Sequence, residues 1–356
     1  MGISLQVHHA DKEERDSTHF QPGMQAFTSA DLQLHFQRVV ENEHPDLLVL
    51  QYVHCAQLAD FARPTSMASA LRSHDIASLN MSMLDILQEH CGGKKIIDPA
   101  TIPAALLEEA FFTNQIKATS IESPIEEFEI CDNFDATLAI SQTDQEELSA
   151  GLKRSSTFYI PPTIEPASHK CLYDAGPLMV LSDYLPNVQG YAYFVTKVLP
   201  RILQSLPNFC LQVVGNACQR LVPSTGINLV GIVDDLTSLY RQCRFAVCPV
   251  LGGTGMQIKV VEAMAHCLPV VILENLARST VVQHGVNGYI AANAEQFSEY
   301  CIELESNPSR CRELGQAARE TIEQKLSLAR SAERWSNMYR QIACPNSLTR
   351  PAGAAP

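Results

Sequence analysis

Between residues 244 and 273 the chain reads strand, glycine-rich turn, helix, strand. RFAVCPV (244–250) is an apolar strand, LGGTG (251–255) a turn, residues 256–266 a helix and LPVVIL (268–273) a second strand. Two strands joined through a helix lie parallel, because the connection must cross one face of the sheet. The same alternation runs through the rest of the second half. PLMVLSD (177–183), FCLQVVG (209–215) and INLVG (227–231) read as strands. VQGYAYFVTKVLPRILQSL (188–206) reads as helix broken at Pro200, and DLTSLYRQC (235–243) as another helix. Helices over 294–305, 308–325 and 328–342 precede a tail expected to fray. The pattern predicts a doubly wound α/β domain, whose ligands sit at the carboxyl ends of the strands.

The first half is less regular. A helix is expected over 30–43 with Ser29 as N-cap, then a strand at DLLVLQYV (46–53) and a weaker one at SMASALR (67–73). Pro103 to Asn133 reads as acidic helix with a break near Ser123-Pro124. ATLAIS (136–141), TDQEELSAGL (143–152) and STFYIPP (156–162) then read as strand, helix and strand. PPTIEPASHKCLYDAG (161–176) is proline-rich and without a period, so residues 163–176 read as a linker. The expected organisation is a first Rossmann-like domain over 1–162, a second over 177–343 and a tail over 344–356.

Charge supports two domains. Residues 1–160 hold 24 acidic and 10 basic side chains, whereas residues 161–356 hold 15 and 16. A chain of net charge −13 is a poor general nucleic-acid binder, and its acidic half should be repelled by anionic lipid. No apolar run is long enough to span a membrane, and MGISLQVHHADKEERD lacks the form of a secretory signal. The 12 cysteines include no CxxC pair, so free thiols, a cytoplasmic location and no metal site are expected.

The chemistry concentrates in PVLGGTGMQIKVVEAMAHCLPVV (249–271). Gly252, Gly253 and Gly255 allow positive φ and close approach of the backbone. The helix they open offers unpaired N–H groups and a partial positive charge, which suit a phosphate or diphosphate. Lys259, about one turn in, can add a cation. Glu262, three residues later on the same face, suits the two vicinal hydroxyls of a ribose. Read locally, the same residues also describe an ordinary glycine turn followed by a solvated Lys–Glu pair.

Taken together, several segments resemble the nucleotide-sugar domain of GT-B fold glycosyltransferases of the family 4, group 1 type. YLPNVQGYAYFVTKVLPRI is similar to the family's opening element, and FCLQVVG to its second strand. LVGIVDDLTSLYRQCRFAVCPV, with Gly231, Val233 and Asp234, resembles its G-x-V-D-D stretch. GTGMQIKVVEAMAHCLPVV resembles its G-x-G…K-x-x-E-A-M-A signature, and HGVNGYI (284–290) its G-x-N-G turn. The resemblance covers about 177–340 and implies two Rossmann-like domains facing a cleft, the first abbreviated. It implies that Glu262 binds the ribose, and that Lys259 with the amides of Gly253, Thr254, Gly255 and Met256 holds the diphosphate. Val233 would flank the base. Asn187 and Gly215 would be donor contacts, or simply turn residues. In the first domain HPDLLVLQYVH and SHDIAS resemble strand ends of the acceptor side. His74, with Asp75 beside it, then becomes the candidate near the transferred sugar, while Ser141 and Gln142 would face the hinge.

Three departures stand out. Thr254 occupies the place of the first of two paired glutamates. Cys267 stands where the family has glycine, tightening that turn. The N-terminal residues show no glycine-rich loop. The expected function is transfer of a sugar from a UDP- or GDP-type donor to a saccharide, protein or small-molecule acceptor, with retention and without metal or other cofactor. The abbreviated first domain leaves a second reading, an inactive glycosyltransferase-like subunit acting through a partner.

Overall fold

The computed structural model describes residues 30–62, 67–91, 96–109 and 123–343. Ser29, the N-terminal stretch and the tail lie outside the described residues. The chain divides into two compact units, one of residues 1–77, 122–160 and 332–356, the other of residues 78–121 and 161–331.

The first unit holds α1 (Ala30–Glu43), β1 (Leu47–Gln51), α2 (Leu58–Ala62) and β2 (Ala68–Ser73). After the excursion of 78–121 come α4 (Ser123–Cys131), β3 (Ala136–Ala139), α5 (Gln142–Gly151) and β4 (Ser156–Tyr159). The strands form one parallel sheet in the order β1-β2-β3-β4. All four residues of β3 are buried, as an apolar run in the middle of a parallel sheet should be. One side of the unit packs Val40, Leu48, Leu71 and Leu148; the other packs Ala70, Leu138 and Ile160 around Met338. Met338 lies on α13 (Leu328–Ala343), the last helix, which begins in the second unit and ends in the first.

Two expectations for this half change. The stretch foreseen as helix from Pro103 opens on a short 3-10 turn at Ala104–Leu107, residues 110–122 lie outside the described residues, and α4 starts where a break was expected. A fifteen-residue helix, α3 (Ala77–Cys91), went unforeseen. Its first amide is capped from afar: the fully buried Glu127 accepts from the Ala77 N–H at 2.9 Å.

The second unit carries β5 (Leu178–Val180), α6 (Leu185–Tyr193), α7 (Leu199–Ser205), β6 (Leu211–Val214) and β7 (Ile227–Gly231). It continues through α8 (Thr237–Gln242), β8 (Ala246–Cys248), α9 (Ile258–Ala265) and β9 (Val270–Leu273). α10 (Glu274–Ala277), β10 (Gly288–Ala291), α11 (Ala294–Ser306) and α12 (Pro308–Lys325) complete it. The six strands are parallel in the order β10-β9-β8-β5-β6-β7. The chain therefore winds outward from β5, returns, and winds the other way from β8. The reversal separates the loops after β5 and β8, which leaves room for a ligand between them.

Pro200 does not break its helix. One turn of π-helix, Phe194–Val198, joins α6 to α7. Proline has no N–H to give to the preceding turn, and a widened turn absorbs the missing bond. Residues 96–109 pack on α6: the Gln189 amide donates to the Leu106 carbonyl at 2.7 Å, and Tyr193 bonds Glu109. The stretch read as a linker is bound along the second unit. Ala167 N–H donates to Ala265, Leu172 to Arg241, and both Asp174 and Ala175 to Gln242.

Candidate functional site

The loop from Pro249 to Gln257 leaves β8 at the reversal of strand order and opens α9. Gly253 and Gly255 take φ of 145° and 73°, values that suit glycine and few other residues. Gly253 and Thr254 are half-buried, while Gly252, Gly255 and Met256 are buried. Gln257 precedes the helix without a side-chain cap, so the first amides of α9 are left for another acceptor.

Lys259 and Glu262 do not form the solvated pair that their spacing permits. Lys259 donates to the Oδ1 of Asn187, and among the described residues no carboxylate reaches its ammonium. Burial pushes its pKa below the ordinary lysine value, only partly countered by Cys248. Asn187 in turn donates to Ser182 Oγ at 2.7 Å. One asparagine thus ties the loop after β5 to the helix after β8, across the gap where the strand order reverses. Glu262 faces Tyr240 on α8. Burial pushes its carboxyl pKa up, with the tyrosine pulling weakly the other way. The Tyr240 ring stacks on His266 at 4.6 Å and 21°.

Of the other expected donor residues, Gly215 has a structural role that the geometry makes plain. Gly215 takes φ 130°, and a Cβ there would meet the Leu181 carbonyl oxygen at 2.0 Å, so it is the close approach of two strand ends that requires glycine. Val233 is half-buried in the loop between β7 and α8. Its neighbour Asp235 accepts from the Thr237 N–H at 2.8 Å and starts α8. Asn287 of the G-x-N-G turn is fully buried, accepts from Gln283 N–H at 2.6 Å and donates to Val281 and Thr321; it holds a turn. Cys267 adopts φ 60°, the left-handed conformation glycine would take, and closes α9 with bonds from Cys267 N–H to Met264 and from Leu268 N–H to Ala263.

In the first unit His74 follows β2. Its Nε2 lies 2.8 Å from Gln51 Oε1, so that nitrogen carries the proton, and its ring stacks on Tyr52 at 4.1 Å and 19°. Burial, then the nearby Arg72, hold the imidazole pKa below its ordinary value, favouring the neutral form. Asp75 is half-buried, and its backbone carbonyl accepts from the Ser73 hydroxyl. Ser141 is a buried N-cap for α5, accepting from Asp144 N–H at 3.0 Å, and Gln142 is exposed. Tyr52, Gln51 and Arg72 escaped the sequence reading. Tyr52 takes φ 66° and ψ 140°, a strained backbone for a non-glycine residue, in a run of residues that reads simply as strand. Among the described residues no group of three or more His, Cys, Asp or Glu is placed to hold a metal. No helix among them is long and apolar enough to cross a membrane.

Residues 177–307 match the family model described as glycosyl transferases group 1. The chain is 26% identical over 205 residues to an uncharacterized 44.6 kDa protein of the cps region of Klebsiella pneumoniae, covering 52% of this chain and 51% of that one. The chain thus spans about half the length of this curated relative. Sucrose-phosphate synthase from Thermosynechococcus elongatus superposes with a TM-score of 0.59 at 14% identity, over 90% of this chain and 82% of that one. HepE of Anabaena in complex with UDP and glucose gives 0.55 at 14%, over 88% and 83%. A TarM variant of S. aureus bound to Fondaparinux, alpha-GlcNAc-glycerol and UDP gives 0.59 at 12%, over 86% and 58%. The fold is the GT-B type that the sequence resembled.

Proposed function

We propose that this chain, whose second unit carries the group 1 glycosyl transferase match, moves a sugar from a nucleoside-diphosphate donor to an acceptor hydroxyl. The observation that carries the proposal is Lys259. A desolvated ammonium whose partner is a neutral amide oxygen is costly, and an anion beside it offsets that cost. It is the second residue of an eight-residue helix whose N-terminus has no side-chain cap, behind a turn of positive-φ glycines. A diphosphate between the loops after β5 and β8 would meet the ammonium, the α9 amides and the amides of Gly253 to Met256.

The roles follow from charge. As the glycosidic bond breaks, negative charge grows on the leaving diphosphate, and Lys259 with the α9 N-terminus stabilises it without a metal. Glu262 accepts the ribose hydroxyls, and Val233 flanks the base. Asn187 positions the lysine. The resemblance assigns the acceptor side to the first unit, with His74 and Asp75 as its candidates, and implies retention at the anomeric carbon. HepE and TarM, both solved with UDP, make UDP the first base to test and GDP the second.

The test is a thermal-shift panel of UDP, GDP and their sugars on the full chain, followed by calorimetry. A ligand bound to the folded state alone raises the midpoint. The expected result is stabilisation by one diphosphate series, lost in Lys259→Ala. A panel that leaves the midpoint unmoved, or a Lys259→Ala variant binding as tightly as the parent, would overturn the proposal.

A further inference from the structure

Segment 161–176 does more than connect. It runs beside the end of α9, and two of its side chains grip that end. The Cys171 thiol donates to the His266 carbonyl at 2.7 Å, and the Tyr173 hydroxyl donates to the Cys267 carbonyl at 2.7 Å. From the other side α12 presses on the same carbonyl: a Cβ at Gly315 would lie 2.0 Å from the Cys267 oxygen. The left-handed Cys267 is thus fixed on both sides. The bond to His266 puts the Cys171 sulfur beside the peptide that leads into Cys267, and Cys267 interacts electrostatically with Cys171 and with Arg319 of α12. Both cysteines are free thiols, Cys171 buried and Cys267 half-buried.

We propose that Cys171 and Cys267 are a dithiol site that a hydroperoxide converts to a disulfide, clamping segment 161–176 to the end of α9.

The Cys267 thiolate attacks one peroxide oxygen, the O–O bond breaks, and hydroxide or alkoxide leaves, giving a sulfenic acid. The Cys171 sulfur then attacks the sulfenic sulfur. Its S–H proton goes to the departing oxygen, which leaves as water, and the S–S bond forms. Two electrons pass from the two sulfurs to the peroxide. Cys267 is suited to act first. It is the more exposed of the two sulfurs, and the neighbouring Cys171 and Arg319 guanidinium hold its pKa below the ordinary thiol value, against the opposing cost of burial. Cys55, of similar exposure, is pushed up by burial instead, and so are the buried Cys131, Cys218 and Cys243.

The test uses the full chain. It is treated with hydrogen peroxide, quenched with an alkylating agent and digested without reduction. The expected product is a peptide pair linking Cys171 to Cys267, lighter by two hydrogens and released by dithiothreitol. Before oxidation, Cys267 should alkylate at pH 7 at least about tenfold faster than the half-buried Cys55 and Cys210. In Cys171→Ser, Cys267 should accumulate as a sulfenic acid trapped by dimedone. Three results would overturn the proposal: oxidation of Cys55 or Cys210 while Cys171 and Cys267 stay alkylatable, a link from Cys267 to another cysteine, or equal alkylation rates before oxidation.

Discussion

The two units place positive φ on different residues. Around the candidate site of the second unit it falls on glycines at a strand end and before α9, Gly215, Gly253 and Gly255, although Tyr173 and Cys267 of that unit take it too. In the first unit it falls on no glycine among the described residues but on His44 and on Tyr52, just past β1, whose ring then stacks on His74. A glycine bend is cheap and leaves the backbone open to a ligand. A tyrosine bend is held against its own preference, at about 1–3 kcal/mol, and presents a ring. The proposed donor side therefore rests on backbone amides and one lysine, and the His74 side on stacked, hydrogen-bonded side chains.

The contrast is most sharply tested by reversing it. Gly215→Ala should cost about 3 kcal/mol of stability, because the new methyl meets the Leu181 carbonyl. Chemical denaturation measures it, and a loss under about 1 kcal/mol would mean the strand ends can part. Tyr52→Gly should change stability by less than about 1 kcal/mol, relief of strain offsetting the lost stack.

Between these fall the binding effects. Lys259→Ala and Glu262→Ala should each weaken donor binding at least about tenfold, roughly 1.4 kcal/mol, with the thermal midpoint of the free chain retained. Calorimetric titration reads both. His74→Ala should lower kcat several-fold and leave donor Kd alone; equal loss of both would remove the histidine from the acceptor side.

Two pH effects are smaller. Burial raises the Glu262 pKa, so its carboxylate is protonated on acidification earlier than an ordinary glutamate. Donor affinity should fall as pH drops through that raised value, and Glu262→Gln should lack the fall. His266, within 3.2 Å of His169, has its pKa lowered to about 4, first by burial and then by His169. The unfolded chain takes up this proton from about pH 6.5 downward and the folded chain only near 4, so stability is lost as pH falls between them. With the ring half-exposed the loss stays under about 1 kcal/mol, and His266→Phe should flatten it.

Much of the second unit was legible because its strands are short apolar runs between glycine and proline signals. β8, α9 and β9 lie within a residue or two of where the sequence puts them. The lysine and glutamate of α9 were legible as types at a spacing. Their partners, Asn187 seventy-two residues away and Tyr240 on another helix, were not. α3 was missed because ASLNMSMLDILQEHC mixes small, polar and apolar residues with only a weak amphipathic period.

By itself the sequence determined the periodicities, and with them two parallel α/β regions, a glycine turn opening a helix, and the family that the turn resembles. Periodicity states that a helix has an apolar face but not what covers it, because the partner lies far along the chain. Only the tertiary structure decided that Met338 fills the core of the first unit, that residues 96–109 pack on α6, and that Lys259 turns from Glu262 to Asn187. Those choices are set by which distant surfaces close-pack, and a local pattern carries no record of them.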